Sequence, residues 1–561
     1  MKPTWEFHMA FENKFNHMKN TLLLLIIMLA SLGAQGASYY VNADRGDDTN
    51  SGLSPHAPFK SLNRVNALLL RAGDKVLLAG EQTFKGQLIL SGVKGSKEQP
   101  VLISAYQPND QTNASKPIID AQGFFKGIKI VNSSHIHVQG IEVCANGGEK
   151  PQLANQQLMR CGVLVTTSQK GHFTGINLTN LLVRDVFFEK EGFQRGSAEV
   201  KTPNGKQNYG WGIRFINATP GAKLTDLVVE NCAITNVAHT GIKFTGKNKT
   251  IANIKVLNCS VSHTGGPGIQ MSGVHNGVVH GNVVNCSGSN NDSRKWGRGS
   301  GLWTWGSSDI IIEHNRFSNA NGPGDSAGCH IDYNCNNVVV QYNFSMNNAG
   351  GFCEILGNNF NCAYRYNVSV NDGQRVKGEN GAFQEGKVLW LSGYQGHKKR
   401  SGPFNSYIYN NTIFVKDGVV AKMAIDYAAA GVFIANNIFV IEGESKLVLG
   451  DQYKPQKKDE AEIQGVMFKN NLFMKKANWP VDAPISDEDP IFGDPQFVNA
   501  GGSNVTDYLP RNKALVKDKG LLPQALPADS IGLFNGLIPS HDILGNPIIG
   551  LPDLGAFEIN N

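Results

Sequence analysis

Three residues with catalytic side chains fall close together in two short, strand-like segments. GCHID at 328–332 carries His330 and Asp332, and GGFCEI at 350–355 carries Glu354. In a strand, alternate residues face opposite sides, so apolar second and fourth positions send the third and fifth outward. Matching Ala349-Gly350 to Ala327-Gly328 puts Glu354 in the column of Asp332, one strand away. Stacked strands lie about 4.8 Å apart, close to the ~5–5.5 Å carboxyl separation of retaining glycosidases. Like charges at that range raise one pKa, which makes an acid and a base or nucleophile from one pair. His330 would tune the pair, and Asp325 in the preceding GPGD turn is a substitute partner at a longer distance. The competing reading is a structural carboxylate ladder or a calcium site; the hydrolase reading itself requires no cofactor.

The same outward face contains other groups suited to a glycan. The motif glycine-apolar-x-apolar-x recurs as GIKIV at 127, GVLVT at 162, GIRFI at 212, GIKFT at 241, GIQMS at 268 and GLWTW at 301. Its third positions are Lys129, Leu164, Arg214, Lys243, Gln270, Trp303 and His330, continued by Phe352 under this alignment. Its fifth positions include Trp305 and Asp332, and the echo of IDY at 331–333 in 425–427 adds Asp426. Arg214, Lys243, Gln270, Trp303, Trp305, Asp325 and Asp426 are therefore the expected substrate-binding residues, with the tryptophans as stacking platforms for sugar rings. β-Elimination on a uronate is the alternative chemistry, with Arg214 and Lys243 as base and enolate-stabilising cation. A glycan-binding protein without activity is the third reading. No HExxH, P-loop or zinc-type cysteine cluster occurs.

Such a column exists only if the motif is stacked. An apolar run ending in asparagine follows each strand motif, at Asn231, Asn258, Asn282, Asn315, Asn343, Asn367, Asn411, Asn437 and Asn471. Most spacings fall in the twenties and low thirties, close to one coil of a solenoid. Short strands cannot bury an apolar face alone, but parallel coils bury it continuously. Asparagine tolerates left-handed backbone and its amide can bond the same amide one coil away. Ser61–Leu70 is the clearest helix candidate.

YYVNADRGDDTNSGLSPHAPFKSLNRVN, AGDKVLLAG, DPQFVNAG and DLGAFE resemble the terminal regions of secreted, pectate-lyase-like parallel β-helix proteins that act on carbohydrate. The resemblance implies an all-β, right-handed parallel β-helix and a polysaccharide as substrate; it does not choose between hydrolase and lyase. The paired-Asp, GHG and RIK set of pectin hydrolases is absent. The expected organisation is a leader over 1–36, an N-terminal cap and first coils over 37–124, repeats over 125–475, and C-terminal coils with a closing segment over 476–561.

Of 561 residues only 17% are charged, while 63 are glycine, a mixture suited to repeated turns. The net charge of +6 fits an acidic or sulfated glycan and is too weak and dispersed for nucleic acid. Met18-Lys19 followed by TLLLLIIMLASL and Ala34-Gln35-Gly36 reads as a signal peptide, too short to span a membrane. A secreted or periplasmic monomer is expected. The nine cysteines form no CxxC pair and read as buried thiols.

Overall fold

The computed structural model describes residues 36–108, 115–147, 159–202, 208–449, 465–475 and 487–559. The leader pattern lies outside them. Among the described residues the strands form three parallel sheets of 14, 12 and 14 strands, with one strand per sheet from each full coil. The site sheet, which runs from Leu88–Ser91 to Ser445–Leu449, carries the glycine-led motifs. Ile213 and Phe215, Ile242 and Phe244, and Ile269 and Met271 point inward and stack in register, which produces one continuous core.

The motif glycine is a consequence of that stacking. A Cβ at Gly301 would lie 2.3 Å from the carbonyl oxygen of Gly328 on the next coil, and one at Gly241 would lie 2.7 Å from that of Gly268. On the coils led by Gly127 through Gly301 no side chain fits at this position.

The asparagine column is a hydrogen-bonded chain through the interior. Nδ2 of Asn282, Asn315, Asn343, Asn367, Asn411 and Asn437 each donates to Oδ1 of the next member, up to Asn471, at 2.8–3.0 Å. Asn471 closes the chain on Asp487. Asn231 and Asn258 are not members. They sit one residue earlier, at φ of +52°, and Cys232 and Cys259 take the ladder position. The Cys232 thiol contacts the carbonyls of Leu178 and Glu230, and the Cys259 amide donates to Asn282. A thiol thus fills the place of an amide on the early coils, which the count of asparagines could not show. All nine cysteines are free, with only Cys144 and Cys286 short of full burial.

Three further features frame the site. Met159, Cys161, Leu164, Phe187, Tyr209, Trp211 and Trp296 form a second apolar cluster on the outer face of the site sheet. From residue 493 the chain packs along the flank of the solenoid, with Asp529 bonded to Asn361 and Ser503 to Arg316. The N-terminal helix is Leu62–Asn66, capped by Ser61, shorter than expected because the chain leaves it to pair Arg71 with Lys94. No helix among the described residues is long and apolar enough to cross a membrane.

The interior ladder gives the first testable outcome. Asn343 is fully buried, donates to Ile312, Gln341 and Asn367, and accepts from Asn315. Asn343→Ala should cost about 2–4 kcal/mol in urea unfolding, because it orphans several buried groups at once. Asn231→Ala, outside the ladder, should cost clearly less.

Candidate active site

Strands Leu302–Trp305, Cys329–Ile331, Gly351–Ile355 and Lys387–Leu391 lie side by side on the site sheet and form the floor of a cavity of about 650 Å3. Their register differs from the alignment read in the sequence. Ala327 bridges Gly351 and Ile331 pairs with Ile355, so Glu354 stands beside His330, not beside Asp332. The double glycine of AGGF is the cause. Gly350 is used in the turn, its amide bonded to Ser326, and Gly351 begins the strand. Phe352 consequently leaves the His330 column and packs into the core. Asp332 and Glu354 are diagonal neighbours, and the column beyond Glu354 continues to Trp390.

Each charged group has a distinct setting. His330 Nδ1 faces a Glu354 oxygen at 3.3 Å and Ser300 Oγ at 3.4 Å, while Nε2 has no partner. Burial works to lower the His330 pKa, but the hydrogen bond and charge of Glu354, with Asp332 and Asp325, raise it above the usual value. Glu354 is only 3% exposed and supports the imidazole from behind. Asp332 lies at the cavity wall, half-buried, with its Oδ1 accepting the Tyr333 amide at 2.8 Å. Burial pushes its pKa up to about 6, with His330 opposing and Asp325 adding to the rise. Asp325 and Ser326 take successive left-handed conformations, φ +47° and +68°. That turn delivers the Asp325 carboxylate to the guanidinium of Arg298, at 2.7 and 3.0 Å. Burial raises the Asp325 pKa, but Arg298, then His330 and Arg375, outweigh it and hold it below the ordinary carboxylate range.

Aromatic rings enclose the charges. Trp303 packs edge-on against His330, and Trp305, 43% exposed, lies 5.0 Å from Tyr333 at the mouth. Trp390, Tyr394 and Lys398 also line the cavity. Lys398 reaches the Tyr333 hydroxyl.

Four of the expected binding residues are elsewhere. Arg214 and Lys243 are buried beneath the outer cluster, where both lie over the Trp211 ring at 4.0 and 4.8 Å. Gln270, one coil before Trp303, is 2% exposed and outside the cavity lining. Asp426 keeps its column, beyond Ser392, but is buried and bonded to Arg400, Gly393 and Ala428. Inserted segments around Tyr209 and Trp296 cover the early coils, and the repeat pattern does not register that cover. The sequence reading missed Arg298, Gln384, Trp390 and Tyr394. Trp390 left a faint signal, since KVLWL keeps the strand alternation without the leading glycine. Among the described residues no group of three or more His, Cys, Asp or Glu is placed to hold a metal ion.

Comparison with known proteins agrees with this architecture. A family model described as a right-handed β-helix region matches residues 211–413. The chain folds as a right-handed parallel β-helix. Across 94% of its length it is 25% identical to a lacto-N-biosidase of Bifidobacterium longum subsp. longum, of which it spans only 37%. Two crystal structures of GH136 lacto-N-biosidase from Eubacterium ramulus superpose with a TM-score of 0.53 over 78% of this chain and 71% of theirs, at 22% and 21% identity. The β-helix fold is thus shared with carbohydrate-active enzymes.

The raised Asp332 pKa has a measurable consequence. A carboxylate with a folded pKa above its unfolded value contributes stability below the unfolded pKa and loses it as pH rises through the folded one. Asp332→Asn should therefore be more stable than the parent at pH 7.5, by on the order of 1–2 kcal/mol. The difference should vanish as pH falls to about 4. Thermal melts of both proteins across that range test it.

Proposed function

We propose that the chain is a glycoside hydrolase, with Asp332 and Asp325 as its two working carboxylates. The observation that carries this reading is one aromatic-walled cavity lined by two carboxyls whose surroundings drive their pKa values apart. Divergent environments of this kind assign acid and base roles. Asp332, protonated up to about pH 6, donates its proton to the glycosidic oxygen and later accepts one from water. Asp325, kept anionic by Arg298, faces the positive charge that develops at the anomeric carbon. His330 and Glu354 are positioning residues; the buried Glu354 holds the imidazole whose charge tunes Asp332. The similarity to a lacto-N-biosidase over nearly the whole chain supports hydrolysis over elimination. The burial of Arg214 and Lys243 removes the residues on which a lyase mechanism would rest.

The cavity's guanidinium is engaged with Asp325, which favours a neutral glycan. An acidic or sulfated one is the second reading, carried by Lys201 and Lys398 in the lining. Export, from the leader pattern at 18–36, and action as a monomer belong to the same proposal.

Purified protein should release reducing ends from at least one member of a panel of neutral and sulfated glycans that includes lacto-N-biose-terminated oligosaccharides. Asp332→Asn and Asp325→Asn should each lower kcat at least about a hundredfold, with folding retained. Glu354→Gln should lower it less and shift the pH profile. Activity should fall as pH rises above about 6, because the acid loses its proton. EDTA should leave activity unchanged. Ultraviolet-absorbing unsaturated products, or near-normal turnover in both aspartate variants, would overturn the assignment.

A further inference from the structure

Residues 371–386 join strand Val368–Val370 to strand Lys387–Leu391 and reach back as a strap to the GPGD turn. Asp325 leaves the solenoid on that turn, so no sheet bond fixes it. Two successive left-handed residues, neither of them glycine, persist only where their surroundings over-determine them. The strap supplies the constraint. The Phe383 amide donates to the Pro323 carbonyl at 2.9 Å, and Gln384 Oε1 accepts the Asp325 amide. Arg375 Nη1 donates to the carbonyls of Gly322 and Asp325 at 3.1 and 2.8 Å, while its Nε is fixed on the Gln384 carbonyl at 2.8 Å. The Phe383 ring lies 5.2 Å from Arg298 Cζ, and Gly324 leaves it room: a Cβ there would lie 2.4 Å from Phe383 Cζ. On its other side the strap is pinned to strand Ala421–Ile425. Lys422 donates to the Arg375 carbonyl at 2.7 Å and pairs with Glu385 at 2.9 Å. These bonds all end on main chain or on the strap itself; the Asp325 carboxylate is left to Arg298.

We infer that Arg375 and Gln384 are positioning residues for glycoside hydrolysis, which grip the main chain of Asp325 so that its carboxylate is aimed at the reacting carbon. The inference rests on the hydrolase reading of this cavity and adds the residues that aim one of its two carboxylates. Arg375 also acts through its charge. Burial raises the Asp325 pKa, and Arg298, then His330, then Arg375 lower it, with the Asp332 carboxyl as the like-charged neighbour. Gln384 is uncharged and acts through geometry alone.

The test uses Arg375→Met, Arg375→Lys and Gln384→Met, each assayed across pH on the panel glycan that the parent cleaves fastest. Arg375→Met removes both the grip and the charge. Its kcat should fall about 10- to 100-fold with KM nearly unchanged. The acid limb of its kcat/KM profile should move to higher pH, because Asp325 becomes harder to ionise. Arg375→Lys keeps the charge without the planar fork, so kcat should fall while the acid limb stays in place. Gln384→Met deletes the acceptor without changing charge and should do the same. A role in stability alone would lower the melting temperature but leave kcat per folded molecule and the acid limb as in the parent, and that result overturns the inference. So does a rise in KM with kcat held, the signature of a substrate contact. Should Arg375→Met fold poorly, Gln384→Met decides, and a kcat near the parent's overturns the inference. A parent inactive on every member of the panel overturns the hydrolase reading as well; an active parent with unimpaired variants overturns the inference alone.

Discussion

Everything in this molecule depends on coils stacking at a single strand spacing. That spacing leaves no room for a side chain at the leading position of the strands from Gly127 to Gly301, so glycine recurs there, with the carbonyl of the next glycine where a Cβ would lie. It also brings identical turn positions within hydrogen-bonding distance, so the amides of Asn282 through Asn471 form an unbroken buried chain. A fully satisfied polar row inside an apolar core fixes one register, because a slip of one residue would orphan every member.

Register, in turn, decides what the outer face can do. A one-strand relation between Asp332 and Glu354 would have made them a like-charged pair. The observed offset places an imidazole against Glu354 and leaves Asp332 in a setting where burial raises its pKa, the charge of His330 opposes the rise and that of Asp325 adds to it. The two aspartates reach the cavity by different means. One projects from the end of a strand, and the other from a strained turn clamped by Arg298. Their settings account for their opposite pKa displacements: burial pushes both up and prevails at Asp332, whereas at Asp325 Arg298, His330 and Arg375 together outweigh it.

The outer face is divided by what covers it. Over the early coils an apolar cluster built around Trp211 and Trp296 buries Arg214 and Lys243 at the cost of desolvating two cations, and the Lys243 pKa is driven well down by burial and by Arg214. Over the later coils the described residues form no such cover, and Trp303, Trp305, Tyr333, Trp390 and Tyr394 line an accessible cavity. One column of outward residues therefore serves as a second core at one end and as a binding floor at the other.

Much of this was legible in the sequence. The glycine-led strand motif and the recurring asparagine determined the stacked parallel architecture, because both are direct imprints of coil spacing on residue type. Alternation within each strand determined that Trp303, Trp305, His330 and Asp332 face outward, and the GPGD turn marked Asp325. Tertiary structure alone decided the rest. Whether Gly350 or Gly351 starts a strand depends on a turn bonded to the coil before it, and that choice moved Glu354 from Asp332 to His330. Whether an outward cation meets solvent or an inserted tryptophan depends on segments far away in the chain, which is why Arg214 and Lys243 read as a binding site and fold as a covered core. Local patterning specifies which side of a strand a residue takes; what waits on that side is set by long-range packing.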